Sequence, residues 1–220
     1  DSFNDLTFKL QGYNETEVRK YSISKLGNIP SGKNILEIGS GTGRDSILID
    51  KLLKKNTNFF LLDASDKMLK ICSEKLKNKS VNKFFILADA CFLPFQDESF
   101  DFIYSFVTLP AISNKKDFFN EINRVLKPGG KVVLGSEGIL PSIKNTNFGK
   151  ILLNNSDLYN QHIPLNILHK NFSNVSLEWI LNDIIFLLSF TKLRNKRKIK
   201  DIIIPGKRGG SLYTRYYGKL

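Results

Sequence analysis

Two carboxylates flank a glycine run in this chain: Glu37 stands before Gly39-Ser40-Gly41-Thr42-Gly43, and Asp63 follows it. Carboxylates accept hydrogen bonds from hydroxyls and pair with cations. Glycines let a backbone approach a ligand closely and turn through positive φ. An acid two residues before the first glycine suits a ligand that carries a cationic amino group, and it repels a pyrophosphate. Asp63 lies 20 residues after Gly43, the offset at which an acid meets a ribose diol in nucleotide-binding α/β folds. The run does not complete a dinucleotide G-x-G-x-x-G fingerprint. The sixth residue is Arg44 counted from Gly39 and Ser46 counted from Gly41, and no G-x-x-x-x-G-K-[ST] phosphate loop occurs elsewhere.

These side chains need elements to hold them. Asn34 to Ile38 is a short strand, apolar except for Glu37, and an apolar-periodic helix begins near Asp45, with Ile47, Leu48, Leu52 and Leu53 at helical spacing. Phe59–Leu62, Phe84–Leu87, Phe100–Val107 and Lys131–Leu134 are further apolar runs, the kind a parallel sheet buries on both faces. Between them, Ser65 caps a helix with Met68, Cys72 and Leu76 on one face. Asn114 caps another with Phe118, Ile122, Val125 and Leu126 inward, stopped by Pro128-Gly129-Gly130. Strands alternating with helices give an α/β, doubly wound, Rossmann-like sheet with helices on both faces. A leading helix spans about Asn14 to Leu26. Residues 138–171 read as loop with one short helix near Leu165 to His169, and Val175–Ile180 and Asp183–Phe190 as the last two strands.

With these elements in order, Ile35 to Arg44 resembles motif I of the class I S-adenosylmethionine-dependent methyltransferases, of the type 11 kind. Leu61-Leu62-Asp63-Ala64-Ser65 resembles that family's second motif and Ala88-Asp89-Ala90 its adenine-facing segment. Phe100 to Ser105 resembles its fourth strand, and Arg124 to Lys131 the turn into its fifth. The resemblance implies a seven-stranded, mostly parallel sheet with an antiparallel last strand. It implies S-adenosyl-L-methionine as methyl donor and S-adenosyl-L-homocysteine as product. Glu37, Gly39, Ser40, Gly41 and Gly43 would follow the methionine end, with Asp63 and Ala64 at the ribose. Asp89 would meet the adenine amino group, with the Ala90 backbone at the ring edge, Met68 on the ring or in the core, and Ser105 near the methyl group. Methyl transfer from a sulfonium is an in-line displacement, in which alignment and desolvation do much of the work and a base is needed only if the acceptor loses a proton. Ser105, Tyr104 and His162 are the catalytic candidates, none with an assigned role; no histidine follows the fourth strand.

At 220 residues the chain fits one domain, 1–191, with a cap helix in 1–29 and a variable cap at 138–171. The net charge of +12 is concentrated at the end: residues 192–220 carry ten Lys or Arg and one acid. That basic tail offers a grip on an anionic partner. Cys72 and Cys91 read as free thiols of a reducing, cytoplasmic setting, no metal-ligand set is spaced among them and the two histidines, and no apolar run approaches the roughly 20 residues of a membrane span. The [DNS]-P-P-[YFW] loop and Pro-Cys pair of two DNA methyltransferase classes are absent. The expected acceptor is a small molecule or lipid-like compound. The alternatives are RNA held by the tail, or a catalytically idle S-adenosylmethionine-binding partner module.

Overall fold

The computed structural model describes residues 14–77, 81–155, 159, 163–194 and 213–214. One sheet organises them, built from β1 (Asn34–Ile38), β2 (Asn58–Asp63), β3 (Asn82–Leu87), β4 (Phe100–Phe106), β5 (Leu126–Glu137), β6 (Phe172–Ile180), β7 (Ile185–Lys192) and the two-residue β8 (Tyr213–Thr214). Their spatial order is β3-β2-β1-β4-β5-β7-β6-β8. The first five are parallel, β7 runs antiparallel to both β5 and β6, and β8 adds an antiparallel edge to β6. The expected seven-stranded, doubly wound sheet is therefore present, with β8 beyond it. The chain steps outward from β1 to β3 and then returns to the other side of β1 for β4. Such a reversal opens a crevice at the strands' carboxyl ends, between β1 and β4.

Helices cover both faces: α1 (Glu15–Ser24), α2 (Arg44–Asp50), α3 (Asp66–Lys75), α4 (Lys115–Val125), α5 (Pro141–Lys144) and α6 (Asn147–Asn155). Ser65 Oγ accepts from Met68 N at 3.4 Å, and Asn114 Oδ1 accepts from Lys116 N and Asp117 N at 3.1 and 3.2 Å, so both expected caps are made. Because side chains alternate along a strand, the sheet separates two cores. One packs Leu36, Ile38, Ile103 and Trp179 with α4; the other packs Ile35, Tyr104, Phe106 and Val133 with α1, Cys72 and Tyr159.

Several boundaries differ from expectation. α2 stops at Asp50, short of the apolar spacing that continues to Leu53, and Leu52 is mostly exposed. Met68 is 43% exposed while Cys72 and Leu76 are buried, because Met68 sits in the first turn of α3 beside a cleft. α4 ends at Val125, and Leu126 already pairs with Phe100, so Pro128-Gly129-Gly130 fills an irregularity within the β4–β5 ladder. The stretch 138–171 holds α5 and α6 as well as the 3-10 turn Leu165–Ile167. The region assigned to the basic tail begins inside β7. Lys192 is that strand's last residue, and its ammonium donates to Asn123 O at 2.8 Å and Leu126 O at 2.7 Å, satisfying carbonyls at the end of α4. Most of the tail, residues 195–212 and 215–220, lies outside the described residues.

Candidate functional site

A cleft of about 410 Å³ opens at the carboxyl ends of β1, β2 and β4, where the strand order reverses. Its floor is the turn after β1. Gly39 N and Ser40 N both donate to Leu62 O, at 2.7 and 3.0 Å, which draws this turn against the end of β2. The Asp63 carboxylate clamps it from the other side: Oδ2 accepts from Gly41 N at 2.8 Å and Oδ1 from Ser65 N at 2.9 Å. Gly39 has φ +75°, and a Cβ there would stand 2.2 Å from Thr108 Oγ1, so only glycine fits. Across the cleft, Asp89 Oδ1 accepts from Cys91 N at 2.8 Å and orders the loop after β3. Val107, a β-branched residue at φ 59°, forms the wall beyond β4 together with Thr108. A bulky residue in that region is strained, and such strain gathers at functional sites.

The cleft brings together Gly39, Gly41, Asp63, Ala64, Met68, Asp89 and Ala90 of the residues singled out from sequence. Glu37, Ser40, Gly43 and Ser105 do not line it. Ser105 is buried and its hydroxyl donates to Ile38 O at 2.8 Å, so it pins β4 to β1. Gly43 caps α2 at φ +83°, with the Cys72 sulfur where a Cβ would crowd. Tyr104 is fully buried, its hydroxyl 2.6 Å from Ser22 Oγ of α1, and burial pushes the phenol well above its ordinary range. His162 lies outside the described residues. His169 Nδ1 accepts from Asn171 N at 3.2 Å and packs edge-on to Phe172, a local structural role at the start of β6.

Glu37 belongs to a second, buried group on the α1 side of the sheet. It is 2% exposed, its Oε2 has no hydrogen-bond partner, and burial followed by the nearby Asp45 charge raises its carboxyl well above the usual range. Ser40 Oγ is likewise buried and unpartnered. Arg19 of α1 pairs with Asp45 of α2 and with Glu15 at 2.6 Å, and its guanidinium lies 5.3 Å from the Phe106 ring centroid. Despite that partner, burial lifts Asp45 to about 6. Glu137, the last residue of β5, is 5% exposed with Oε2 unpartnered, and burial lifts it to about 7. Arg19, Asp45 and Glu137 escaped the sequence reading. One signal was present for Glu137: like Glu37, it is an acid beside an apolar run, here Val132-Val133-Leu134-Gly135. Arg19 and Asp45 offered none, because their pairing joins two helices 26 residues apart.

Residues 36–134 match the family model described as a methyltransferase domain. The chain is 32% identical over 157 residues to a malonyl-[acyl-carrier protein] O-methyltransferase of Marinomonas sp., a match covering 65% of this chain and 56% of the relative. It is 32% identical over 161 residues to a ubiquinone/menaquinone biosynthesis C-methyltransferase of Blochmanniella floridana, covering 72% of this chain and 61% of that one. The matches thus span little more than half the length of these curated relatives. A solved SAM-dependent methyltransferase from Thermotoga maritima, titled a possible histamine N-methyltransferase, superposes with a TM-score of 0.62 at 18% identity, over 87% of this chain and 95% of that one. At that identity the likeness is one of fold.

Proposed function

We propose that this chain, a member of the class I S-adenosylmethionine-dependent methyltransferase family, transfers a methyl group to a small-molecule or lipid-like acceptor. The observation that carries the proposal is the pair of acids at one sheet edge: Asp63 open to the cleft, and Glu37 buried with an unsatisfied oxygen. S-adenosylmethionine presents a ribose diol, an adenine and a cationic amino group, and the residues present fit all three. Each Asp63 oxygen accepts one backbone N–H and keeps lone-pair capacity for a hydroxyl. Asp89, the Ala90 backbone and the half-exposed Met68 line the end of the cleft suited to the adenine. Glu37 Oε2 and Ser40 Oγ are the orphaned acceptors an ammonium would satisfy.

When bound, the donor supplies a methyl group already activated on a sulfonium. The chain's residues then have to align it and keep water out. The Gly39–Gly43 turn, fixed by Asp63 and Leu62, gives the alignment. α1, packed through Val18, Ile23 and the Arg19–Asp45 pair, covers the α1 side of the sheet edge and excludes water. Ser105 positions β4, and Tyr104, neutral and buried, acts as a hydrogen-bonding strut. One relative is named for O-methylation of malonyl-[acyl-carrier protein] and another for C-methylation in ubiquinone/menaquinone biosynthesis, which supports an organic acceptor here.

The test is incubation of the full chain with methyl-labelled S-adenosylmethionine and separate metabolite, lipid and RNA fractions. Label in the metabolite or lipid fraction is the expected result. Label confined to RNA would replace the acceptor class, and cofactor binding with no transfer to any fraction would make the chain a binding module.

A further inference from the structure

Glu137 is an acid where packing does not call for one. It ends β5 at the carboxyl edge of the sheet, and strand alternation places its side chain on the same face as Glu37 and Tyr104. Glu37 pairs with Tyr104 across β1 and β4, and Phe106 pairs with Gly135 across β4 and β5. The absent Cβ of Gly135 leaves room for the Phe106 ring, which fills that space. Glu37 and Glu137 therefore stand on opposite sides of the end of β4, one on each neighbouring strand. The charged groups on this face include Arg19, Glu15 and Lys25 from α1, Asp45 from α2, Glu37 from β1, Lys131 from β5 and Glu178 from β6, which pairs with Lys25, together with the neutral Tyr104 from β4; Asp183 lies on the β6–β7 turn, whose backbone bonds Gly138 and Leu140. Arg19 is the one whose charge reaches Glu137. It is already engaged by Asp45 and Glu15, so Glu137 Oε2 stays unpartnered.

We propose that Glu137 faces the methyl donor from the acceptor side and takes the proton of the acceptor, so that the acceptor class is one with an ionisable O–H, N–H or acidic C–H. This rests on the methyltransferase reading of the cleft. A donor whose amino group were held by Glu37 would carry its methyl group toward the end of β4, and an acceptor meeting it there would lie on the β5 side, beside Glu137. The acceptor atom bonds to the methyl carbon as the carbon–sulfur bond breaks, with that bond's electron pair going to sulfur. The acceptor's proton passes to the Glu137 carboxylate and from there to water. A carboxyl that titrates at about 7 is ionised in a substantial fraction at neutral pH and is still basic enough to accept.

The test compares two ligands that differ in one charge. S-adenosylmethionine carries a sulfonium, and S-adenosylhomocysteine carries a neutral thioether in its place. A cation facing Glu137 favours its ionised form, so the affinity for the first ligand relative to the second rises as pH passes upward through about 7. Calorimetry on the full chain should show that ratio growing about tenfold between roughly pH 5.5 and 8.5, one pKa unit of coupling. In Glu137→Gln the ratio should lose most of that rise, keeping only what Glu37 and Asp45 contribute, while Glu137→Asp, which keeps the charge, should retain the trend. A ratio independent of pH in the unaltered chain, or an equal rise in Glu137→Gln, would overturn the proposal. Failure of either ligand to bind at all would instead sink the methyltransferase reading, and this inference with it.

Discussion

Glu137 and Arg19 make opposite demands on stability. The Glu137 carboxyl is raised by burial to about 7 in the folded chain, above its unfolded value. Its neutral form therefore favours folding, a contribution fully present below about pH 4.5 and lost as pH rises through about 7. Glu137→Gln, always neutral, should unfold at the same denaturant concentration as the parent near pH 4.5 and be more stable by about 1–3 kcal/mol above pH 8. Equal stability at both pH values would mean that the carboxyl is not buried as described. Arg19 is the reverse case. Its loss leaves Asp45 buried without a cation, and breaking such a pair costs about 3–5 kcal/mol. Arg19→Met should therefore lower the melting temperature by several degrees at pH 7. The loss should shrink toward pH 5, below the value of about 6 at which Asp45 takes up a proton. Asp63, Asp89 and the glycines were legible in the sequence because their motif residues are adjacent in the chain and act through nearby backbone. The Arg19–Asp45 pair was not, since its partners lie on different helices brought together only by packing.

At the scale of elements, the turn between β1 and α2 tolerates little change. Gly39→Ala would combine an unfavourable φ of +75° with a Cβ 2.2 Å from Thr108 Oγ1, and the adjoining Thr108 atoms are no farther than 2.9 Å. The turn or the wall after β4 must move. We expect a loss of S-adenosylhomocysteine affinity of about a hundredfold or more, equivalent to roughly 2.7 kcal/mol, measured by calorimetry on a variant whose circular dichroism is unchanged. Undiminished affinity would show that this turn is not the cradle. Strands β1 to β4 were readable as apolar runs between turn signals. α5 and α6 were not: Pro141-Ser142-Ile143-Lys144 is one turn of mixed polarity, and α6 buries Gly149 rather than an apolar stripe, with Phe148 and Ile151 left outward. The β6–β7 hairpin turns through Leu181, Asn182 and Asp183, all at positive φ. Asn and Asp tolerate that region, whereas for Leu181 only its burial in the core under α1 accounts for the conformation.

At the scale of the whole molecule, one sheet separates two cores and leaves the cleft at the edge where the strand order reverses. The two cores also divide the side chains at and after the end of β4 and those of the 138–171 stretch. Phe106 and Tyr159 pack with the α1-side core, whereas Leu109 and Ile163 pack on the opposite face. Among the described residues no helix is long and apolar enough to cross a membrane. The basic tail is separable only beyond Lys192, whose ammonium holds the end of α4. Truncation after Arg194 should keep cofactor affinity within about twofold and lower stability by less than about 1 kcal/mol, the scale of the short β8 pairing. It should also weaken binding to anionic vesicles or RNA, a charge effect that steepens at low salt. Retention of that binding after truncation would remove the tail from any such role. The assignment of the cleft itself is tested most directly by calorimetric titration with S-adenosylhomocysteine of the full chain and of Asp63→Ala. The parent chain should bind one equivalent. The variant, deprived of the group that holds Gly41 and Ser65 and that would face the ribose, should remain folded and bind at least about tenfold more weakly. Equal affinity in the two proteins, or no binding by the parent, would contradict it.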